Sequence, residues 1–320
     1  VMSAVANGTY DLYAGKSSNA KETLADTGID ITVSSNDQTG TVNYYSLTLA
    51  KGTAISDVKS DTVSTTAAVA YMSNYSIPID ATVASGATWL TWSKTAGTNL
   101  TTFTAGTKSQ SVKMGAGSAT LTANAIAKPT ITRTDYNTFS FSAAGAAAYY
   151  VDTQNTTAPA AGTAAASGTY AIRTWTTATS TGDITLEEGK TYYVWAKSAA
   201  TGGTVSAVSD GIAVRKITRS QGTGTTLTTR YDATTESTGT ALTDASILVL
   251  NGTPMWAKAT ANSGYRGITL KHGSTTMTAS GATFNAGASE SIASTATANK
   301  VTITIKKDGS NWNQSGIKLE

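Results

Sequence analysis

The sequence predicts an all-β protein built as tandem small β-sandwich domains, and three observations carry that prediction. Thr, Ala, Gly and Ser dominate the chain, and Thr is a β-branched residue that fits a pleated, half-exposed surface. Short alternating runs recur roughly every 8–12 residues between Gly, Asn, Asp and Ser, the spacing of sandwiches and barrels. Long stripes of helical period are missing. Of the 320 residues, 13% are charged and 40% hydrophobic, which supplies several small cores and too little charge for a soluble disordered chain.

Two stretches read as linkers. Ala123-Asn124-Ala125-Ile126-Ala127-Lys128-Pro129 ends one strand and restarts another after a proline, which cannot serve a central ladder. Arg215-Lys216-Ile217-Thr218-Arg219-Ser220-Gln221-Gly222 separates a strand from a Gly/Thr-rich opening. Boundaries near 127 and 217 divide the chain into 1–127, which holds one or two small units, 128–217 and 218–320. In the least assigned part, 1–75, Ile29–Ser34 and Thr41–Leu49 read as strands joined by a turn at Asp37-Gln38-Thr39-Gly40. In the middle segment, Thr138–Ser142, Ala148–Asp152, Tyr170–Trp175, Asp183–Leu186, Thr191–Lys197 and Gly211–Val214 read as strands.

The run Leu186-Glu187-Glu188-Gly189-Lys190-Thr191-Tyr192 opens the strongest of these strands. It resembles the fibronectin type III signature, in which a Leu, a Gly-bearing turn and a Tyr open the penultimate strand. The resemblance covers about 90 residues by the size of such a domain and implies that Tyr192 is a tyrosine-corner residue behind Leu186 and Gly189. It departs from the family pattern in having Phe139 or Phe141 where a Trp is expected on the second strand and no Pro in the corner turn, which leaves a generic immunoglobulin-like sandwich as the alternative. The flanking segments resemble the extracellular bacterial repeats of the InlB B-repeat type and their divergent relatives. Gly86-Ala87-Thr88-Trp89-Leu90-Thr91-Trp92 carries the Gly–aromatic core, and Met114-Gly115-Ala116-Gly117 the turn before a closing strand. In the third segment Gly264-Tyr265-Arg266-Gly267-Ile268-Thr269-Leu270 aligns with that core, Leu270 replacing the Trp, and Phe284-Asn285-Ala286-Gly287 with the turn.

Chemistry is thinly provided. His272 is the sole histidine and reads as an exposed turn residue; with no Cys and no G-x-S-x-G elbow, a triad or a zinc site lacks its parts. Asn36-Asp37 and Asp57 do not form a calcium loop. Glu187-Glu188 are adjacent, so they diverge if extended instead of facing each other across a cleft. Gly222-Thr223-Gly224 lacks the Lys-Ser/Thr of a phosphate loop. The expectation is therefore no enzyme, no cofactor and no metal. Of the six Trp, Trp89, Trp92 and Trp195 fall at core positions of the family patterns. Trp175 and Trp312 remain candidates for stacking on a sugar ring.

A net charge of +3 spread thinly, with Lys306-Lys307 its densest basic spot, argues against nucleic acid as a partner. No apolar run reaches the length of a membrane helix. Absent cysteine in a Thr/Ser-rich chain points to the exterior of a bacterial cell, with a signal peptide already removed. The triplets beginning at Asn7, Asn74, Asn99, Asn155, Asn251 and Asn313 fit glycosylation sequons, at a frequency that chance supplies in so Ser/Thr-rich a chain. Isopeptide cross-links need a buried Lys, Asn and acid together, and the sequence nominates no such trio. The functional expectation is an extracellular structural protein, a filament, surface-layer or stalk subunit self-associating through edge strands. The run before Tyr10 or Ser315–Glu320 would be the donor. The alternative is an adhesin or carbohydrate-binding module with a glycan or cell-surface ligand.

Overall fold

The structure is a computed structural model that describes residues 6–17, 24–34, 38–95, 99–168, 170–302, 306–307 and 310–311. Every regular element among them is a strand, as expected. By backbone contacts the chain divides into two units. One comprises Val1–Thr132, Phe139–Asp183 and Thr191–Ile212, the other Arg133–Thr138, Ile184–Lys190 and Ala213–Glu320.

β1 (Gly8–Gly15) and β2 (Leu24–Val33) pair antiparallel as a two-stranded sheet. Nine strands follow: β3 (Tyr44–Lys51), β4 (Ile55–Ser60), β5 (Val63–Ser64), β6 (Val69–Met72), β7 (Ser76–Val83), β8 (Thr88–Lys94), β9 (Leu100–Thr102), β10 (Gln110–Met114) and β11 (Ala119–Ile126). They form two sheets, β6-β3-β11-β8 and β5-β4-β7-β10-β9. Alternate residues Leu47, Leu49, Ile77, Ile79, Val112 and Leu121 are buried between them, the period-2 burial that the sequence pattern requires. The strands expected at 29–34 and 41–49 exist, but no hairpin joins them. β2 folds back on β1, while β3 takes β6 and β11 as neighbours.

Four strands come next: β12 (Thr130–Asp135), β13 (Thr138–Ser142), β14 (Ala148–Asp152) and β15 (Thr191–Lys197). β12 and β13 form a hairpin, and β13 is bonded on its far side to 179–181 through Phe141 N to Thr179 O and Thr181 N to Phe139 O. β14 pairs with β15, whose other edge meets 206–209. There the Ser206 and Ser209 hydroxyls accept the Ala196 and Val194 N–H groups. Tyr170–Trp175 and Asp183–Leu186 are not strands. Arg173 takes a left-handed backbone (φ 58°), which breaks the extended run and delivers its guanidinium to Asp152. At 183–186 the chain is nonregular, with Ile184 N bonded to Asn137 O.

The last large set is again nine strands: β16 (Ile212–Gln221), β17 (Thr225–Tyr231), β18 (Thr240–Ala241), β19 (Ser246–Leu250), β20 (Pro254–Ala261), β21 (Tyr265–His272), β22 (Thr275–Met277), β23 (Ala282–Asn285) and β24 (Glu290–Ala298). β25 (Lys306–Lys307) and β26 (Ser310–Asn311) pair after it. The run Arg215–Gln221, expected as a linker, is therefore strand. The two buried apolar residues of β16, Val214 and Ile217, lie three apart and so on opposite faces, which hides the period-2 signal among long cationic side chains.

The two nine-strand sets share one topology. β19-β16-β24-β21 repeats β6-β3-β11-β8, and β18-β17-β20-β23 repeats β5-β4-β7-β10. Their connecting bonds also repeat. Gly52 N to Ala123 O (2.9 Å) matches Gly222 N to Ser294 O (2.9 Å). Ala84 N to Ala54 O (2.9 Å) matches Asn262 N to Gly224 O (2.9 Å), and Asn74 N to Met114 O (3.1 Å) matches Gly252 N to Ala286 O (2.8 Å). Gly86 and Gly264 open the equivalent strands β8 and β21 with φ of 73° and 83°. In each set the first strand pairs with the last in parallel: Leu47–Lys51 with Ala119–Ala123, and Ile217–Gln221 with Glu290–Ser294.

Candidate functional site

The parallel pairs are the feature that both sandwiches build in the same way. A parallel ladder needs a long crossover to return the chain to the same end of the sheet, and here the seven strands between first and last provide it. A glycine directly after the first strand lets the chain turn against the last one: a Cβ on Gly52 would run into the Ala123 carbonyl and the Asn124 side chain, and one on Gly222 into the Ser294 carbonyl. Leu121 and Ile292 sit at equivalent, fully buried places on the two closing strands. The arrangement fixes where the chain enters and leaves each sandwich.

Trp175 is 2% exposed. Its indole N–H donates to Ala160 O (2.9 Å), Tyr150 lies against its ring (5.4 Å between centroids), and the Lys197 ammonium sits over the ring at 4.6 Å. No face is left open for a sugar, so Trp175 is a packing residue with Trp195 and Ala148. Trp312 lies outside the described residues. Lys197 is itself buried. Its ammonium donates to Ala161 O (3.1 Å) and Thr163 O (2.6 Å), and desolvation holds its pKa below the ordinary lysine value. These bonded partners are carbonyls rather than an Asn side chain, so they do not make an isopeptide trio. Asp152 nearby is raised by burial, but the Arg173 guanidinium (2.8 Å), the Thr153 N–H and Gln154 outweigh burial and bring it below the carboxylate norm.

Tyr192 is buried against Phe139 (5.9 Å) and follows a turn closed by Lys190 N to Glu187 O, with Gly189 at φ 75°. Leu186 is half-buried, and Glu187 and Glu188 are exposed, Glu188 taking an ion pair from Lys216 (2.9 Å). Tyr192, Val194 and Ala196 point to one buried face, while Trp195 packs on the other. Tyr170 is raised to about 12, first by burial and then by Tyr192.

His272 is not a turn residue. It ends β21, stacks on Phe284 (3.8 Å, 25°) and brings Nε2 to 2.5 Å from Glu290 Oε2, outside hydrogen-bond geometry. Burial lowers its pKa and Glu290 opposes this, so the imidazole favours its neutral form. Asp57 accepts the Ser64 hydroxyl (2.6 Å), which lowers its pKa; Asn36-Asp37 lies outside the described residues. Among the described residues no cluster of three metal-ligating side chains forms. Gly222-Thr223-Gly224 is the tight connection between β16 and β17. A shallow cleft of about 490 Å³ lies over β4, β7 and β10, lined by Lys59, Thr62, Pro78, Asp80, Ser109 and Ser111. Its central contact is a hydrogen bond from the Ser109 hydroxyl to Asp80, and its lining contains no aromatic ring.

Exposed aromatic surface sits elsewhere, on Tyr10, Tyr13 and Tyr44. Sequence reasoning passed over these because it ranked Trp above Tyr. Tyr10 and Tyr13 lie in β1, a strand with no buried residue. The Tyr44 hydroxyl donates to Gly15 O (2.5 Å), and Tyr10 donates to Ala6 O (2.9 Å). No helix among the described residues is long and apolar enough to cross a membrane. No protein-family model, curated protein or solved structure matches the chain.

Proposed function

We propose that the chain is a load-bearing structural subunit of a bacterial cell exterior, part of a filament, surface layer or stalk. The parallel pairing of first and last strand, made twice, carries this reading. Because β3 and β11 run parallel, the chain enters the first sandwich at one end of the pair and leaves at the other. Tension on the two ends slides the strands past each other and loads all bonds of the pair together, where an antiparallel pair with both ends at one side would unzip bond by bond. β16 and β24 repeat the arrangement. The chain has no cysteine, so no disulfide limits extension and hydrogen bonds bear the load. Self-association has its support in β1 and β2, which pair with no other strand among the described residues.

Stretching the whole chain in a single-molecule force experiment tests the proposal. Two high-force events are expected, from residues 44–126 and 212–298, each releasing roughly 270–310 Å of chain at ~3.3–3.6 Å per residue. Thr122→Pro removes a ladder bond from β11 and should weaken one event alone; Ala293→Pro in β24 should weaken the other. Smooth low-force extension without paired events would overturn the proposal. A second reading, glycan binding, is favoured by the exposed Tyr10, Tyr13 and Tyr44, and a glycan array separates the two.

A further inference from the structure

The second nine-strand sandwich holds a hairpin tip, Arg133–Thr138, by a compact set of contacts. Leu250 N donates to Tyr136 O (2.7 Å), and the Tyr136 ring lies on Tyr231 (4.8 Å). Asp232, at the end of β17 with φ 49°, pairs with Arg133 (2.9 Å) and accepts Tyr136 N (2.9 Å). Tyr136 N also reaches Asp135 Oδ1 (2.6 Å), so the Asp135 and Asp232 carboxyls converge on one N–H. The first sandwich has the counterpart joint. Met72, at the position of Leu250, donates to Lys16 O (3.2 Å). Asp61, at the end of β4 with φ 48°, pairs with Lys16 (2.8 Å). The first joint has one acid and one cation. The second has two acids and one cation.

We infer that the second joint is proton-operated: a proton shared between Asp135 and Asp232 closes the hairpin tip onto the sandwich, and its loss loosens the tip while the first joint stays unchanged. Two carboxylates gathered on one N–H cannot both ionise without repulsion, and the single charge of Arg133 compensates only one. The other charged side chains of residues 228–240 are committed elsewhere. The Arg230 guanidinium donates to Thr238 O and Gly239 O, and Glu236 pairs with Lys258. β19 has no titratable side chain.

Burial, and then Asp135, raise Asp232 to about 6 from an ordinary 3.8. A raised carboxyl adds stability that is fully present below 3.8 and lost as pH rises through about 6. Asp135 is lowered, first by its bond to Asp232, so its contribution is present above the ordinary value and lost as pH falls through its depressed one. The tip is thus held best in mildly acidic solution and loosens toward neutrality.

Amide exchange of the whole protein tests this, because each joint has its own reporter. Between pH 5 and 7.5 the protection of the Leu250 amide should fall about tenfold relative to that of Met72, a shift discounted for partial exposure of the pair. Asp135→Asn supplies a permanent donor and should flatten the Leu250 profile, with the Ile292 amide reporting that the sandwich is still folded. A Leu250-to-Met72 ratio that stays constant with pH, or a slope that persists in Asp135→Asn, would overturn the inference. The inference draws its consequence from the load-bearing reading but not its chemistry: failure of the force experiment leaves the exchange profile intact, and the reverse also holds.

Discussion

The two sandwiches use the same nine strands in the same order and part company at the seventh. In the first, β9 joins the β10 side, and the outer edge of β8 is closed by the loop after β9. Trp92 N and the Thr91 hydroxyl donate to Ala105 O, the Trp89 indole to Gly106 O and the Trp92 indole to Lys108 O. In the second, β22 turns back on β21 and closes that edge as a strand, Leu270 opposite Met277. An open edge invites pairing with other chains, and the fold solves this once with a loop held by two indoles, a hydroxyl and one backbone N–H, and once with a paired strand. Where an indole caps the edge, the position needs Trp. Where a strand caps it, Leu suffices, which accounts for Trp92 against Leu270.

Removing the indole is the strongest way to break the comparison. Trp92→Ala should cost the first sandwich about 3–5 kcal/mol and release the loop at 103–108, because packing and edge closure leave together. Leu270→Ala should cost the second about 2–5 kcal/mol while β22 stays paired. Exchange at the Leu121 and Ile292 amides reads the two stabilities separately. A loop that stays protected in Trp92→Ala would mean that the indoles do not close the edge.

The correspondence of Gly86–Trp92 with Gly264–Leu270 was legible because it is local: a left-handed glycine, then alternation into a buried large residue. The middle strands Thr138–Ser142, Ala148–Asp152 and Thr191–Lys197 were legible for the same reason. Illegible features depend on distant partners. Tyr170–Trp175 has strand composition, yet its geometry is set by the bond from Arg173 to Asp152 and by the indole of Trp175 reaching Ala160. The joint at Asp232 rests on Arg133, 99 positions away, and no local pattern announces it. The parallel pairs are likewise nonlocal: nothing in Ala119–Ile126 alone says that Leu47 lies beside it.

A middle-sized effect comes from one turn that the two sandwiches fill differently. Ala54 and Gly224 are equivalent, both left-handed (φ 52° and 73°), and Ala87 and Tyr265 hold matching positions in the turns that bond to them. A Cβ on Gly224 would meet the Tyr265 ring. Gly224→Ala should therefore destabilise the second sandwich by about 2 kcal/mol, from a left-handed Cβ penalty plus overpacking. Adding Tyr265→Ala re-creates the Ala/Ala arrangement of the first sandwich and should remove the clash while keeping the backbone penalty, a coupling measurable as a double-mutant cycle. Additive losses would show that the ring does not pack there.

The smallest effect tests a polar substitution inside the shared core. Tyr71 and Val249 occupy equivalent places, and only the tyrosine carries a hydroxyl, which donates to Ser60 Oγ (2.9 Å) in the buried layer. In the second sandwich the residue equivalent to Ser60 is Thr229, whose hydroxyl turns to Leu242 O instead (3.0 Å). Each buried hydroxyl thus has its own partner, and neither can be borrowed from the other copy. Burial raises the Tyr71 pKa, against the pull of Ser60, so the phenol stays protonated and able to donate. Tyr71→Phe leaves the Ser60 hydroxyl without its donor and should cost about 1 kcal/mol, a net neutral hydrogen bond, read at the Leu121 amide with no change at Ile292. Pairing it with Ser60→Ala should return part of that loss, since removing both partners costs less than stranding one. A double variant less stable than either single would mean that the hydroxyl pair does more than satisfy itself, and that the first sandwich depends on its polar core in a way the second does not.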